Sequence, residues 1–222
     1  MIEWDEWIAQ HMASVRMRHP AEAERLARQA DHGPHGTVIL VRHGLVAPDP
    51  QRPAREWTLT AGGEKTIVEM ARDHVLANMQ LVASSPEPKA MRTAELLAQG
   101  RPVIQVPDLR ELDRSRLHWV DDQSAYAAIV KEILRRPNEA VQGCESATAA
   151  GMRVTAAIDD LTSTYQGQTI AVVSHGMVLS LYVAHLNNVE HSASMIWQSM
   201  GLPDLAVVDP TWRFLISGFR GQ

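Results

Sequence analysis

The stretch Thr37-Val38-Ile39-Leu40-Val41-Arg42-His43-Gly44 constrains this chain more than any other. Its unbroken apolar run reads as a strand buried on both faces, and it stops abruptly at an arginine, a histidine and a glycine. In an open parallel sheet the carboxyl ends of the strands border the ligand crevice. Arg42 and His43 are therefore expected on its floor, with Gly44 letting the backbone turn away closely. A second segment, Thr169-Ile170-Ala171-Val172-Val173-Ser174-His175-Gly176, repeats the design far downstream. One histidine after a strand is ordinarily a loop or capping residue. Two such ends, each followed by glycine, direct two imidazoles to one edge of one sheet.

The bulk properties narrow the function classes. A chain of 222 residues can bury one sizeable core, and no change of composition calls for two. A formal charge of −5 with no concentrated basic run argues against nucleic acid as a partner, whereas a small anion needs only a local positive pocket. The single cysteine, Cys144, cannot form an internal disulfide. The acidic start Met1-Ile2-Glu3-Trp4-Asp5-Glu6 is unlike a signal peptide, and no run is long enough to span a bilayer. The expectation is a soluble, cytoplasmic protein that does not bind membranes.

Residues 1–36 read as an N-terminal helical extension and residues 37–222 as the main domain. Trp4, Trp7, Ile8, Met12 and Val15 have helical spacing, and a second helix is expected from Pro20, with Glu24 and Arg28 spaced as an i,i+4 pair. The Trp-rich face packs on the domain or serves as a lid or homodimer contact. In the main domain, three prolines between Ala47 and Ala54 mark a loop over the first strand end. Thr60 is expected to cap a helix carrying Ile67, Met70, Ala71, Val75 and Leu76 inward, and Ser146 to cap another carrying Val154, Ala157, Ile158 and Leu161. Strands at Gln80–Ser84 and Pro102–Val106 alternate with these helices. The runs at Ala206–Val208 and Trp212–Ile216 read as a closing hairpin at the sheet edge. The fold class is α/β, a three-layer sandwich with a mostly parallel central sheet flanked by helices.

Arg42-His43-Gly44, Leu59-Thr60-Ala61-Gly62-Gly63, Ser85-Pro86 through Ala94, Leu109-Arg110-Glu111 and Ser174-His175-Gly176 together resemble the motifs of the histidine phosphatase superfamily, also called phosphoglycerate mutase-like. The likeness runs from about Thr37 to about Leu186. It implies a phosphatase of small phosphorylated molecules or phosphoprotein, acting through a phosphohistidine on His43. By the same resemblance Arg42, His175, and Lys89 or Arg92 hold the phosphoryl oxygens beside Gly44 and Gly176. Glu111 protonates the leaving oxygen, with Asp108 and Asp113 as rivals. Glu145 and Arg153 support the site. The family's phosphate-clamping arginine falls in register on Lys89, which keeps the charge and loses the planar fork, and Arg92 is expected to reach in from the next turn.

No cofactor and no metal are expected, since cationic side chains supply the neutralisation and His32, His35, His43 and His175 lack a metal-binding spacing. Phosphoglycerate mutases of the family carry Thr or Ser and Asn soon after Arg-His-Gly. Leu45 and Val46 stand there instead, which favours hydrolysis over mutase chemistry. Lys89 and the altered segment after Glu111 motivate the alternative of a regulatory member that binds phosphate with little turnover. The histidine pair is expected to make activity depend on pH between mildly acidic and neutral values.

Overall fold

Strand β1 (Val38–Arg42) forms the middle of a six-stranded sheet of order β3-β2-β4-β1-β5-β6 in a computed structural model of the chain. Residues 36–187, 193–211 and 213–221 are described, all within the unit Gly36–Gln222. The helices expected between Trp4 and Arg28, the connector histidines His32 and His35, and Trp212 lie outside the described residues. After β1 come α1 (Ala61–Met70), α2 (His74–Ala77), β2 (Leu81–Ser84), α3 (Pro88–Ala98), β3 (Val103–Gln105) and α4 (Gln123–Arg135). The remainder is α5 (Ala147–Thr164), β4 (Ile170–Ser174), α6 (Gly176–Leu186), α7 (Ala193–Ser199), β5 (Asp204–Asp209) and β6 (Phe214–Ser217).

Strands β3, β2, β4 and β1 run parallel, while β5 pairs antiparallel with β1 and β6 with β5. The mostly parallel sheet and the edge hairpin match the reading of the sequence, and β5 turns out to be an inner strand. Alternation along β1 explains why the run is apolar without a break. Ile39 and Val41 join Ile67 of α1, Ala90, Ala94 and Leu97 of α3 and Val82 of β2 in one core layer. Val38 and Leu40 are fully buried on the opposite side, where α5 and α6 pack together.

The helix caps fall where the residue types place them. Thr60 accepts from the Gly63 N–H at 2.9 Å, and Ser146 from the Ala149 N–H at 3.2 Å. The helix expected to run from Thr60 past Leu76 is instead two helices. Asp73 turns its carboxylate onto the Val75 N–H at 2.9 Å and restarts the chain as α2, so Ile67 and Leu76 stay buried on separate elements. Among the described residues no helix is long and apolar enough to cross a membrane.

Two adjacent glycines at the start of α1 give a test of this packing. A Cβ on Gly63 would lie 2.4 Å from the Leu45 carbonyl oxygen, a backbone atom of the loop behind His43, whereas one on Gly62 meets nothing nearer than the Thr60 hydroxyl at 3.8 Å. Gly63→Ala should cost about 1–3 kcal/mol through overpacking. Gly62→Ala should be neutral or stabilising by about 0.5 kcal/mol. Urea unfolding of the two variants measures both, and equal effects would contradict the close approach of α1 to the loop.

Candidate functional site

The site follows from strand register. β1 and β4 are paired so that Arg42 stands opposite Ser174, and the next residue of each strand is a histidine. The His43 N–H still donates to the Ser174 carbonyl at 3.1 Å, so the two side chains leave neighbouring strands together. Their rings meet edge to face with centroids 5.2 Å apart. β2 ends beside β4, and the Ser85 N–H donates to the Val173 carbonyl at 3.0 Å, which brings the Ser85 hydroxyl to 2.8 Å from His175 Nε2.

Burial decides the charge of both imidazoles. It drives His43 down to about 3, helped by the charges of Lys89, Arg42 and Arg114 and opposed by its bond to the Gly44 carbonyl. Burial also holds His175 well below the usual histidine range, with His43 and the same three cations adding to it. Both are therefore neutral at physiological pH. His43 itself therefore does not change charge between mildly acidic and neutral pH. His43 Nδ1 lies 2.8 Å from the Gly44 carbonyl, an acceptor only, so the ring hydrogen sits on Nδ1 and the Nε2 lone pair is free. Ser85 Oγ already accepts from the Glu87 N–H at 3.3 Å, and its own hydrogen can go to His175 Nε2. With Nε2 accepting from Ser85, the hydrogen of His175 is on Nδ1, a buried atom with no partner among the described residues.

Cations surround the pair. The Arg42 Nη1 is anchored on the carbonyls of Met200 and Gly201 at 2.9 and 3.2 Å, while its buried Nε has no partner among the described residues. Gly176 has a steric task here, since a Cβ on it would come within 3.1 Å of both Arg42 Nε and the Trp197 ring. Lys89 is 3% exposed and donates to Glu87 Oε2 at 2.5 Å and to the Ala54 carbonyl at 2.8 Å. Burial lowers its affinity for a proton, and the Glu87 carboxylate works against that. Arg92 is not brought to the site. Three positions beyond Lys89 it emerges on the outer face of α3 and forms a two-pronged pair with Glu64 at 2.6 and 3.2 Å. Gly44 likewise has a different task from the one expected: its N–H goes to Thr93 Oγ1 at 3.2 Å, and its carbonyl orients His43.

Glu111 lies at the amino end of α6, accepting from the N–H groups of Met177 and Val178 at 3.3 Å each and of Leu112 at 2.9 Å. The amino end of α6 is thus capped by this carboxylate. Its rivals point elsewhere, Asp108 to Arg110 at 2.9 Å and Asp113 to the Ser115 N–H at 2.8 Å. Arg153 braces the segment, bonding Glu145 at 2.8 Å and the carbonyls of Asp108, Arg110 and Glu111 at 2.7 to 3.4 Å. Glu87, Ser85, Arg114 and Tyr126 escaped the sequence reading. Glu87 accepts from the Glu111 N–H at 2.8 Å and lies 3.5 Å from His175 Nε2, so one buried carboxylate ties Lys89 to Glu111 and borders His175. Among the described residues no three His, Cys, Asp or Glu side chains are grouped to hold a metal ion.

The profile of the histidine phosphatase superfamily (branch 1) matches residues 38–209. No curated protein matches the chain. Among solved structures, a phosphoserine phosphatase from Entamoeba histolytica, in complex with 3-phosphoglyceric acid, superposes with a TM-score of 0.67 at 18% identity, over 84% of this chain and 98% of that one. A mycobacterial glucosyl-3-phosphoglycerate phosphatase gives 0.63 at 20% identity over 78% and 92%. YhfR of Bacillus stearothermophilus gives 0.65 at 21% identity over 84% and 97%.

The neutral histidines set a pH signature in stability. Below pH 6.5 the unfolded chain binds protons that the buried rings refuse, so stability is full above 6.5 and is lost as pH falls towards about 3. His43 contributes a loss of about 2 kcal/mol between pH 7 and 5, and His175 adds to it in the same direction. His43→Asn removes one such share. Urea midpoints of variant and wild type should converge as pH is lowered over that range, and a constant gap would contradict a neutral His43.

Proposed function

Because the chain belongs to the histidine phosphatase superfamily (branch 1), we propose that it hydrolyses phosphomonoesters without a metal ion, through a phosphohistidine on His43. The observation that carries this reading is the pair of neutral histidines issuing from registered strands, with the free Nε2 of His43 among the cations Arg42 and Lys89. An uncharged imidazole is the nucleophilic form, and phosphoryl transfer asks for little beyond an aligned nucleophile and positive charge around the oxygens.

In the first step His43 Nε2 forms a bond to phosphorus as the ester P–O bond breaks, and the leaving oxygen takes a proton from Glu111. In the second, water attacks the phosphohistidine, Glu111 takes a proton from it, and inorganic phosphate leaves with His43 restored. Arg42, Lys89 and the Nδ1–H of His175 hold the phosphoryl oxygens. Substrates are small phosphorylated molecules or phosphoprotein. The slower, phosphate-binding reading draws on Lys89, which has two of its three N–H groups engaged by Glu87 and Ala54.

Lys89 must be charged to serve, and as a buried lysine it loses its proton below the ordinary value of 10.5. Activity should therefore fall on the alkaline side. Glu87→Gln, which removes the carboxylate that keeps Lys89 protonated, should move that fall to lower pH. Lys89→Arg should abolish it in either background, because arginine does not titrate there. With para-nitrophenyl phosphate and a chelator, wild type should turn over and His43→Ala should be slower by about 10³-fold or more. Turnover by His43→Ala at the wild-type rate would refute the mechanism.

A further inference from the structure

We propose that Asp204 is a positioning residue for phosphoryl binding: through the Met200-Gly201 segment its carboxylate fixes Arg42 with one edge of the guanidinium open to the phosphoryl oxygens. This rests on the phosphoryl site proposed above. Strand register puts Asp204 of β5 directly across from Arg42 of β1, yet Arg42 turns to the carbonyls of Met200 and Gly201 rather than to that carboxylate. Opposite charges facing each other across two strands ordinarily join directly. Here the carboxylate is already occupied. Its Oδ1 accepts from the N–H groups of Leu205 at 2.8 Å and Arg220 at 3.0 Å, and its Oδ2 from those of Gly201 at 2.9 Å and Gly221 at 3.0 Å. These four backbone donors converge on a side chain that is only 3% exposed.

Gly201 transmits the constraint, since its N–H is held by Asp204 and its carbonyl holds Arg42. The segment 219–221 braces the arrangement from behind. Phe219 is buried, Arg220 Nη1 pairs with Asp73 at 2.6 Å, and Gly221 passes so close to the end of α7 that a Cβ on it would lie 3.0 Å from the Ser199 carbonyl oxygen. Ser199 directly precedes Met200, so this segment backs the very carbonyls that anchor Arg42. Because the anchor uses Nη1, the edge formed by Nε and Nη2 stays open. It is the edge with which Arg92 grips both oxygens of Glu64. In Arg42 its Nε lies against Gly176, beside His175, where a Cβ would come within 3.1 Å. Direct pairing with Asp204 would have committed that planar fork to an internal carboxylate. Filling the carboxylate with N–H groups keeps the fork for two phosphoryl oxygens.

The test is a double-mutant cycle in the full chain, reading kcat/KM for para-nitrophenyl phosphate and inhibition by inorganic phosphate. Asp204→Asn sets an amide NH2 against two of the four N–H donors whichever way the amide turns. At a temperature where its unfolding curve shows it folded, this variant should lose about tenfold or more in both readings, the scale expected of a displaced clamp. In an Arg42→Ala background the same change should alter neither by more than about twofold, because its effect passes through Arg42. A folded Asp204→Asn with wild-type kcat/KM, or a loss that persists in full without Arg42, would overturn the proposal. Should Asp204→Asn fail to fold, Gly221→Ala takes its place in the cycle. Its φ of +70° and the Ser199 contact loosen the segment while the carboxylate stays intact. A loss of about threefold or more is expected, again only where Arg42 is present. No loss, or one undiminished in Arg42→Ala, would overturn the proposal. A wild type that turns over no phosphomonoester refutes the proposed function instead. The cycle is then read from calorimetric affinity for inorganic phosphate, where additive losses, or no binding by wild type, would overturn the role of Asp204.

Discussion

The parallel pairing of β1 with β4 is the constraint on which the site depends. Opposing Arg42 to Ser174 makes the next two residues, His43 and His175, side-by-side products of the ladder. A shift by one residue would send one ring to the other face of the sheet. The register is secured by burial of every residue of β4 and by the fully buried run of β1, whose alternate side chains enter different core layers. Hydrophobic packing thus sets the geometry of two polar side chains that contribute nothing to it.

Burial that positions the rings also sets their chemistry. A histidine removed from water beside three cations stays neutral, and a neutral imidazole whose Nδ1–H is held by the Gly44 carbonyl has one free lone pair. The opposite problem arises for Lys89, which must stay charged where burial favours the neutral form. Glu87 answers it at 2.5 Å, and the same carboxylate holds the Glu111 backbone, so the cation and the carboxylate proposed as the proton donor are oriented through one residue. Removing one partner of such a pair leaves a buried charge uncompensated, which is costly.

Much of this was legible in the sequence because it depends on local rules. Apolar runs ending in His-Gly gave the strands and their functional ends, Thr60 and Ser146 gave the caps, and the resemblance to the family's motifs gave the Glu145–Arg153 support. What the sequence hid depends on where side chains go after the backbone is placed. Lys89 and Arg92 are three apart on one helix, yet Lys89 turns inward to Glu87 while Glu64 of α1 draws Arg92 outward. Tyr126 lies on α4, and only the folded loop before it brings Arg114 over its ring. Glu87 stood in a position that any polar helix cap could fill. Its role follows from three partners distant in sequence or unreadable from spacing: Lys89, the Glu111 N–H and His175.

The central claim is that the neutral His43 takes the phosphoryl group covalently. The most direct measurement is rapid quench of the protein with a phosphomonoester, followed by mass analysis of the peptide containing Arg42-His43-Gly44 under alkaline conditions that preserve phosphohistidine. The account predicts one phosphoryl group, carried on His43 and formed within a single turnover. Turnover with His43 unmodified, or with the label on His175 instead, would contradict it.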